Sequence, residues 1–228
     1  MGTDHAGAAD SIAVGVAAPL NDGAAGTTHW RIERWNEQQT NDAMHRLVER
    51  GVRLPSEIRT SGKDYADYSL IITPDVFAEL GIPPCDVSEF DGNLITNAGW
   101  TRLMNLLTAQ GATQALTSTA VRIGVGNSNT AETYTDTDLG AAAGSANRWF
   151  QPVSGSGSLG TRTLAFAATF GTADGNFAWN ETGLDVGTPT VTAANTVNAL
   201  LFNHKAGIAQ GTKASGQTWT ATATLTFT

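Results

Sequence analysis

Residues 218–228 read Thr-Trp-Thr-Ala-Thr-Ala-Thr-Leu-Thr-Phe-Thr, an alternation without a break. Successive side chains of an extended chain point to opposite faces. Trp219, Ala221, Ala223, Leu225 and Phe227 therefore share one face, and only threonines occupy the other. A helix, with its 3.6-residue repeat, would scatter both sets around its axis. The pattern predicts a strand lying with one face on a core. Its threonine face offers no charge to block pairing, so as an exposed edge it would accept a strand from another chain. As a central strand it would already be paired on both sides. Either placement is open to the sequence.

Two further runs repeat the signal. Val121-Arg122-Ile123-Gly124-Val125-Gly126 places Val121, Ile123 and Val125 on one face. Residues 162–170 place Leu164, Phe166, Ala168 and Phe170 together. Turn-forming clusters, Ala173-Asp174-Gly175-Asn176 and Ala214-Ser215-Gly216-Gln217, separate such runs. Charged residues make up only 15% of the chain, against roughly 25% in a typical soluble domain. Short strands, glycine-rich turns and little charge predict a mainly β fold, an antiparallel β-sandwich. One helix is expected ahead of it, over about 96–110. Thr96 is its N-cap, Gly111 its C-cap, and Trp100, Leu103, Met104 and Leu107 follow the i, i+3, i+4, i+7 spacing of a stripe laid on a sheet.

The charge of −8 is unevenly distributed. Residues 1–95 hold seven Lys/Arg against fifteen Asp/Glu, and residues 96–228 hold six of each. This asymmetry suggests three parts: an extended or flexible arm over 1–28, an acidic mixed α+β docking region over 29–92, and the helix with its sandwich over 93–228. The arm is rich in Ala and Gly, and reads equally as a loose tail or as a segment ordered by a neighbouring subunit. In the docking region Trp30, Ile32 and Trp35 suggest a strand. A helix is expected from Thr40 as N-cap through Met44, Leu47 and Val48 to Gly51. A strand over Tyr68–Thr73 should end at Pro74, a helical turn should span Asp75–Leu80, and Ile82-Pro83-Pro84-Cys85 reads as a rigid connector.

Several function classes find little in the sequence. There is no basic stripe of the kind that binds nucleic acid. No run of about 18 apolar residues predicts a membrane span. The opening residues, with Asp4 and no basic cluster, do not read as a secretion signal. The single cysteine, Cys85, reads as a small packed residue or a plain loop thiol. His5, His29, His45 and His204 have no metal-ligand spacing, and no P-loop or nucleophile elbow occurs, so no metal, cofactor or catalytic residue is assigned. His204 is expected at the surface or in a turn, and Asp136-Thr137-Asp138 in a solvated loop. Glu181 is expected to accept backbone N–H groups and so fix the turn before Gly183. A glycan hydrolase using Glu181 with an aspartate is the remaining chemical reading. Trp30 and Trp35, set beside arginines, are candidates for a partner-binding platform, with core packing as the alternative, and Trp149 or Trp179 are candidates for stacking on a sugar.

Residues 93–107, Asn-Leu-Ile-Thr-Asn-Ala-Gly-Trp-Thr-Arg-Leu-Met-Asn-Leu-Leu, resemble the start of a β-rich domain of tailed-phage tail-fibre and minor tail proteins. The likeness continues in order through Val121–Gly126, Thr137-Asp138-Leu139, the Phe166–Phe170 run, Glu181-Thr182-Gly183-Leu184 and the strand ending at Thr228. It covers about residues 93–228. It implies a virion protein, made in the bacterial host cytoplasm, acting through subunit packing in a tail fibre, tail tip, collar or head-surface position. Its expected partners are other virion proteins and copies of itself in a trimer or ring, with no nucleic acid and no membrane. A carbohydrate- or receptor-binding module on the virion surface, taking host-surface glycan, is the alternative.

Overall fold

The computed structural model describes residues 27–52, 72–92, 94–110, 115–117, 119–154, 157–187 and 194–227. In chain order these form β1 (Thr27–Trp35), α1 (Glu37–Glu49), α2 (Pro74–Glu79), β2 (Asp86–Asp91), β3 (Leu94–Ile95) and α3 (Asn97–Thr108). Then follow β4 (Val121–Gly126), β5 (Arg148–Pro152), β6 (Ser158–Leu159), β7 (Thr163–Phe170), β8 (Glu181–Val186), a 3-10 turn (Ala194–Thr196), β9 (Asn203–Ala206) and β10 (Thr218–Thr226). Two antiparallel five-stranded sheets result, in the orders β2-β1-β10-β7-β6 and β3-β9-β8-β4-β5. The fold is the mainly β, antiparallel sandwich that the strand patterns predict.

The alternation of β10 is used as expected. Trp219, Ala221, Ala223 and Leu225 are buried, and Phe227 just beyond the strand is half-buried against the same core. The strand is central. It pairs with β1 from Thr218 to Thr226 on one side and with β7 on the other. Its threonine side is therefore no edge, and the hydroxyl of Thr40 on α1 donates to or accepts from that of Thr218 at 3.2 Å. The core between the sheets joins Trp30 and Ile32 of β1, Ile123 and Val125 of β4, Phe166 and Phe170 of β7, and Leu184 and Val186 of β8. A second core fastens α1 and α2 to the end of β1, where the Trp35 ring stacks on Phe77 with centroids 4.3 Å apart.

Residues on both sides of position 92 share one sheet, because β1 and β2 pair with each other and β1 with β10. The acidic region is thus woven into the sandwich rather than standing beside it. The expected arm lies outside the described residues up to position 26, as do Tyr68–Ile71; the cap expected at Gly111 falls instead at Ala109, which takes the left-handed conformation (φ +51°) and ends α3 with its N–H on the Asn105 carbonyl.

Three local expectations need correction. Helix α1 begins at the N-cap Asn36, whose side chain and that of Gln39 close a reciprocal capping box. Thr40, expected as the cap, lies inside the helix with its hydroxyl on the Asn36 carbonyl at 3.0 Å. Gly51 does end the helix: at φ +81° it lets its own N–H reach Val48 and the Val52 N–H reach Leu47, the paired C-terminal bonds of a Schellman motif. Thr73, expected to end a strand, caps α2 instead, its hydroxyl accepting the Val76 N–H ahead of Pro74.

Helix α3 has the expected Thr96 cap, but it is turned about its axis. The residues beneath it are Gly99 and Arg102, with Leu103 and Leu106 partly covered; Met104 is 47% and Leu107 79% exposed. The inward set 99, 102, 103, 106 keeps helical spacing but starts one residue, or about 100°, before the predicted stripe. Gly99 explains the turn, since a Cβ there would lie 2.1 Å from the Phe202 carbonyl oxygen. Only that face can approach β9 so closely.

The fold makes a quantitative expectation. Trp30→Ala should lower unfolding free energy by about 3–5 kcal/mol, whereas Leu107→Ala should change it by less than about 0.5 kcal/mol. Denaturant titration of the two variants compares them directly; equal losses would contradict the helix orientation.

Candidate functional site

The titratable groups gather on the second sheet, beneath the loop that joins β4 to β5. Glu181 opens β8 directly across from Gly126 of β4, and His204 sits on the neighbouring β9. Both are buried. His204 Nε2 lies 2.8 Å from Glu181 Oε2, and its Nδ1 lies 2.7 Å from Asp136 Oδ2 on the loop. Glu181 also accepts the backbone N–H groups of Gly140 (2.8 Å) and Ala141 (2.7 Å), while Asp136 accepts the Thr133 N–H (2.8 Å). Space for the Glu181 carboxylate exists because position 126 is glycine: a Cβ there would be 2.2 Å from Oε1.

Burial opposes charge on His204, but the hydrogen bonds and fields of Glu181 and Asp136 outweigh it and hold its pKa above the ordinary imidazole value. On Asp136 burial likewise pushes upward, and the bonds from Thr133 and His204 carry its pKa below the usual carboxylate range. The cluster is an imidazole ring bridging two acidic side chains, a setting that favours its charged form. Both ring nitrogens are engaged by side chains of the chain itself, Asp136 on one side and Glu181 on the other.

A second polar group lies on the same sheet. Arg122 of β4 and Asp185 of β8 face each other across the ladder as a buried ion pair. Arg122 also reaches the Val197 carbonyl (2.8 Å), and Asp185 accepts the N–H groups of Ala199 and Leu200 (2.8 and 2.9 Å). Arg148 of β5 donates to the carbonyls of Thr196 (2.7 Å) and Ala141 (3.1 Å) and pairs with Asp138. Both guanidiniums lie within cation–π distance of the Phe150 ring. Lys205 and the Ala206 N–H hold Glu132 at 3.1 Å each. These contacts fasten the 127–147 loop and the 194–200 segment to the sheet. Their chemistry is that of a clamp.

Among the described residues, no group of three His, Cys, Asp or Glu side chains is arranged to hold a metal ion. Elsewhere a hollow of about 360 Å³ is lined by Trp35, Pro74, Ala78, Ile82, Pro83 and Pro84, with a carboxylate from Glu33. That carboxylate is already paired with Arg31 at 2.9 Å.

The expected site residues separate into two sets. Trp30, Trp35 and Trp179 are core residues, so the expectation of a contact platform built on them is overturned: their large apolar rings fill the two cores. Trp149 is half-buried, its indole N–H on Gln151 at 2.8 Å. His204 is no surface residue, because β9 carries it inward to meet Glu181. Asp136 is engaged with it rather than simply solvated. Glu181 accepts backbone N–H groups as expected, but those of the β4–β5 loop rather than of a turn before Gly183. Gly183 itself lies within β8, where a Cβ would be 2.4 Å from the Asn203 carbonyl oxygen. Cys85 is exposed, with its Sγ 3.3 Å from the Arg34 carbonyl. Arg122, Arg148 and Asp185 escaped the sequence reading. Their one signal was charge set between apolar neighbours in strand-like runs, as in Val-Arg-Ile and Leu-Asp-Val.

The clamp carries a pH signature. His204, raised in the folded state, contributes stability below its unfolded pKa that is lost as pH rises through the folded value. Asp136, lowered, contributes stability above its unfolded pKa that is lost as pH falls through the folded one. The contribution of these two groups to the melting temperature should thus be highest between these limits. The alkaline decline should vanish in His204→Gln, which should itself cost about 3–5 kcal/mol as a broken buried pair. NMR titration of the His204 ring checks the sign, and an imidazole titrating below about 6.5 would contradict it.

No protein-family model matches the chain, and neither does any curated protein or solved structure compared with it.

Proposed function

We propose that the chain is a structural component of a tailed-phage particle, without catalysis of its own, that works by packing against copies of itself and other particle proteins. The observation carrying this reading is the outward face of α3. Met104 and Leu107 present large apolar side chains to solvent, on a helix whose inner face is already filled. Apolar surface held outward on a rigid element has a free-energy reason to find a partner. The same helix belongs to the segment, residues 93–107, that resembles the tail-protein domain. Two features agree with it: the buried charges are consumed by internal clamps, and the chain is poor in charge, as interface cores are.

Of the two tryptophans that the carbohydrate-binding alternative calls on, Trp179 is buried in the core and Trp149 is half-buried with its indole N–H on Gln151. A hydrolase using Glu181 would need that carboxylate open to substrate, whereas three donors already occupy it.

Light scattering of the purified chain should give a defined oligomer. The pair Met104→Lys and Leu107→Lys should shift it to monomer by at least about tenfold in association constant, equivalent to about 1.4 kcal/mol, with an unchanged melting temperature. A reconstruction of the intact particle should place α3 against another subunit. A monomer at all concentrations that is missing from the particle would defeat the reading.

A further inference from the structure

Lys213 is fully buried, a state that lysine almost never adopts without compensation. Its Nζ donates to the Gly171 carbonyl at 2.6 Å and to Oδ1 of the Asn176 carboxamide at 2.8 Å. The Asn176 Nδ2 is in turn fixed on the Thr172 carbonyl at 2.9 Å. Buried Asp174 is the carboxylate whose charge bears on the amine. Beside Gly175, the residue before Asn176, stand the rings of Phe170 and Trp179, themselves 4.6 Å apart, with Trp219 4.8 Å from Trp179. Amine and carboxamide are thus in contact and held in place, the amine buried and Asn176 half-buried.

From this juxtaposition we propose that the folded chain joins Lys213 to Asn176 through an intramolecular isopeptide bond. The Nζ lone pair attacks the Asn176 Cγ, the Cγ–Nδ2 bond breaks, and ammonia leaves. Asp174 receives the proton released by Nζ and delivers it to the departing Nδ2. Nothing is oxidised or reduced, and no cofactor or co-reactant enters. An attacking lysine must be uncharged, and burial drives the Lys213 pKa down to about 7, so a substantial share of the amine has its lone pair at neutral pH. Holding the two groups in contact replaces a bimolecular encounter by an intramolecular one.

Topology gives the bond a purpose. Asn176 lies on the crossover from β7 in the first sheet to β8 in the second, and Lys213 on the return crossover from β9 to β10. The two crossovers already touch, with the Trp179 N–H on the Gly211 carbonyl at 2.9 Å and the Lys213 N–H on the Phe177 carbonyl at 3.1 Å. A covalent link there would staple both connections between the sheets. The inference is independent of the assembly proposal.

Intact-mass spectrometry of the purified, folded full chain tests it. The expected mass is lighter than that of the sequence by one ammonia, and fragmentation should recover two peptides joined through Lys213 and Asn176. Lys213→Met and Asn176→Ala should each keep their full sequence mass, and Asp174→Asn should slow bond formation by about a hundredfold. A wild-type chain with a native circular dichroism spectrum that retains its full mass after prolonged incubation at neutral pH would overturn the proposal. So would ammonia loss traced to a single unlinked peptide, as from an asparagine succinimide. Both of these outcomes are read on the wild-type chain, so misfolding of a variant does not obscure them.

Discussion

The pairing of β1 with β10 is the constraint on which the architecture rests. It joins Thr27 to Thr226 and Trp35 to Thr218 in one antiparallel ladder. Both strands are interior to the first sheet, β1 carrying β2 on its outer side and β10 carrying β7, so this ladder joins the two halves of the sheet. Through β1 the ladder also anchors Trp35, and with it the small core under α1 and α2. Contacts between residues so distant in sequence require loop-closure entropy before they return any stability. Weakening the ladder should therefore unsettle both cores together.

The second sheet is organised by charge as much as by apolar burial. Arg122, Arg148, Asp185, Glu181 and His204 are all buried, and such groups are costly unless each finds a partner. Here the partners are the carbonyls and N–H groups of two long connections that would otherwise have only surface contacts. The arrangement ties the 127–147 loop and the 194–200 segment to the sheet, because releasing either leaves a charge uncompensated.

How much of this could be read in the sequence depended on the type of signal. The β10 alternation and the Val121–Gly126 and Leu164–Phe170 runs were legible because period-two burial leaves a direct imprint on residue type. The orientation of α3 was not legible: Gly99 and Arg102 face inward, and neither counts as apolar in a helical pattern. The placement of β1 was obscured by its acidic neighbours, since charge balance along the chain carries no information about strand pairing. The cluster of Asp136, Glu181 and His204 was hidden for another reason. Its members are dispersed over three segments, and only the register of β8 against β4 and β9 brings them together. Lys213, one lysine in a turn-rich stretch, announces nothing until its surroundings are folded.

None of the four sheet borders is a long, uncharged strand. One border is β2, carrying Asp86, Glu89 and Asp91; two others, β3 and β6, are two residues long, and the fourth, β5, ends at Pro152. Acidic, truncated or proline-terminated margins are poor templates for another chain's backbone. Molecules of this kind can be crowded to very high local density without knitting into fibrils. Neighbours would have to recognise each other by side-chain relief, which is selective, instead of by main-chain hydrogen bonding, which is not.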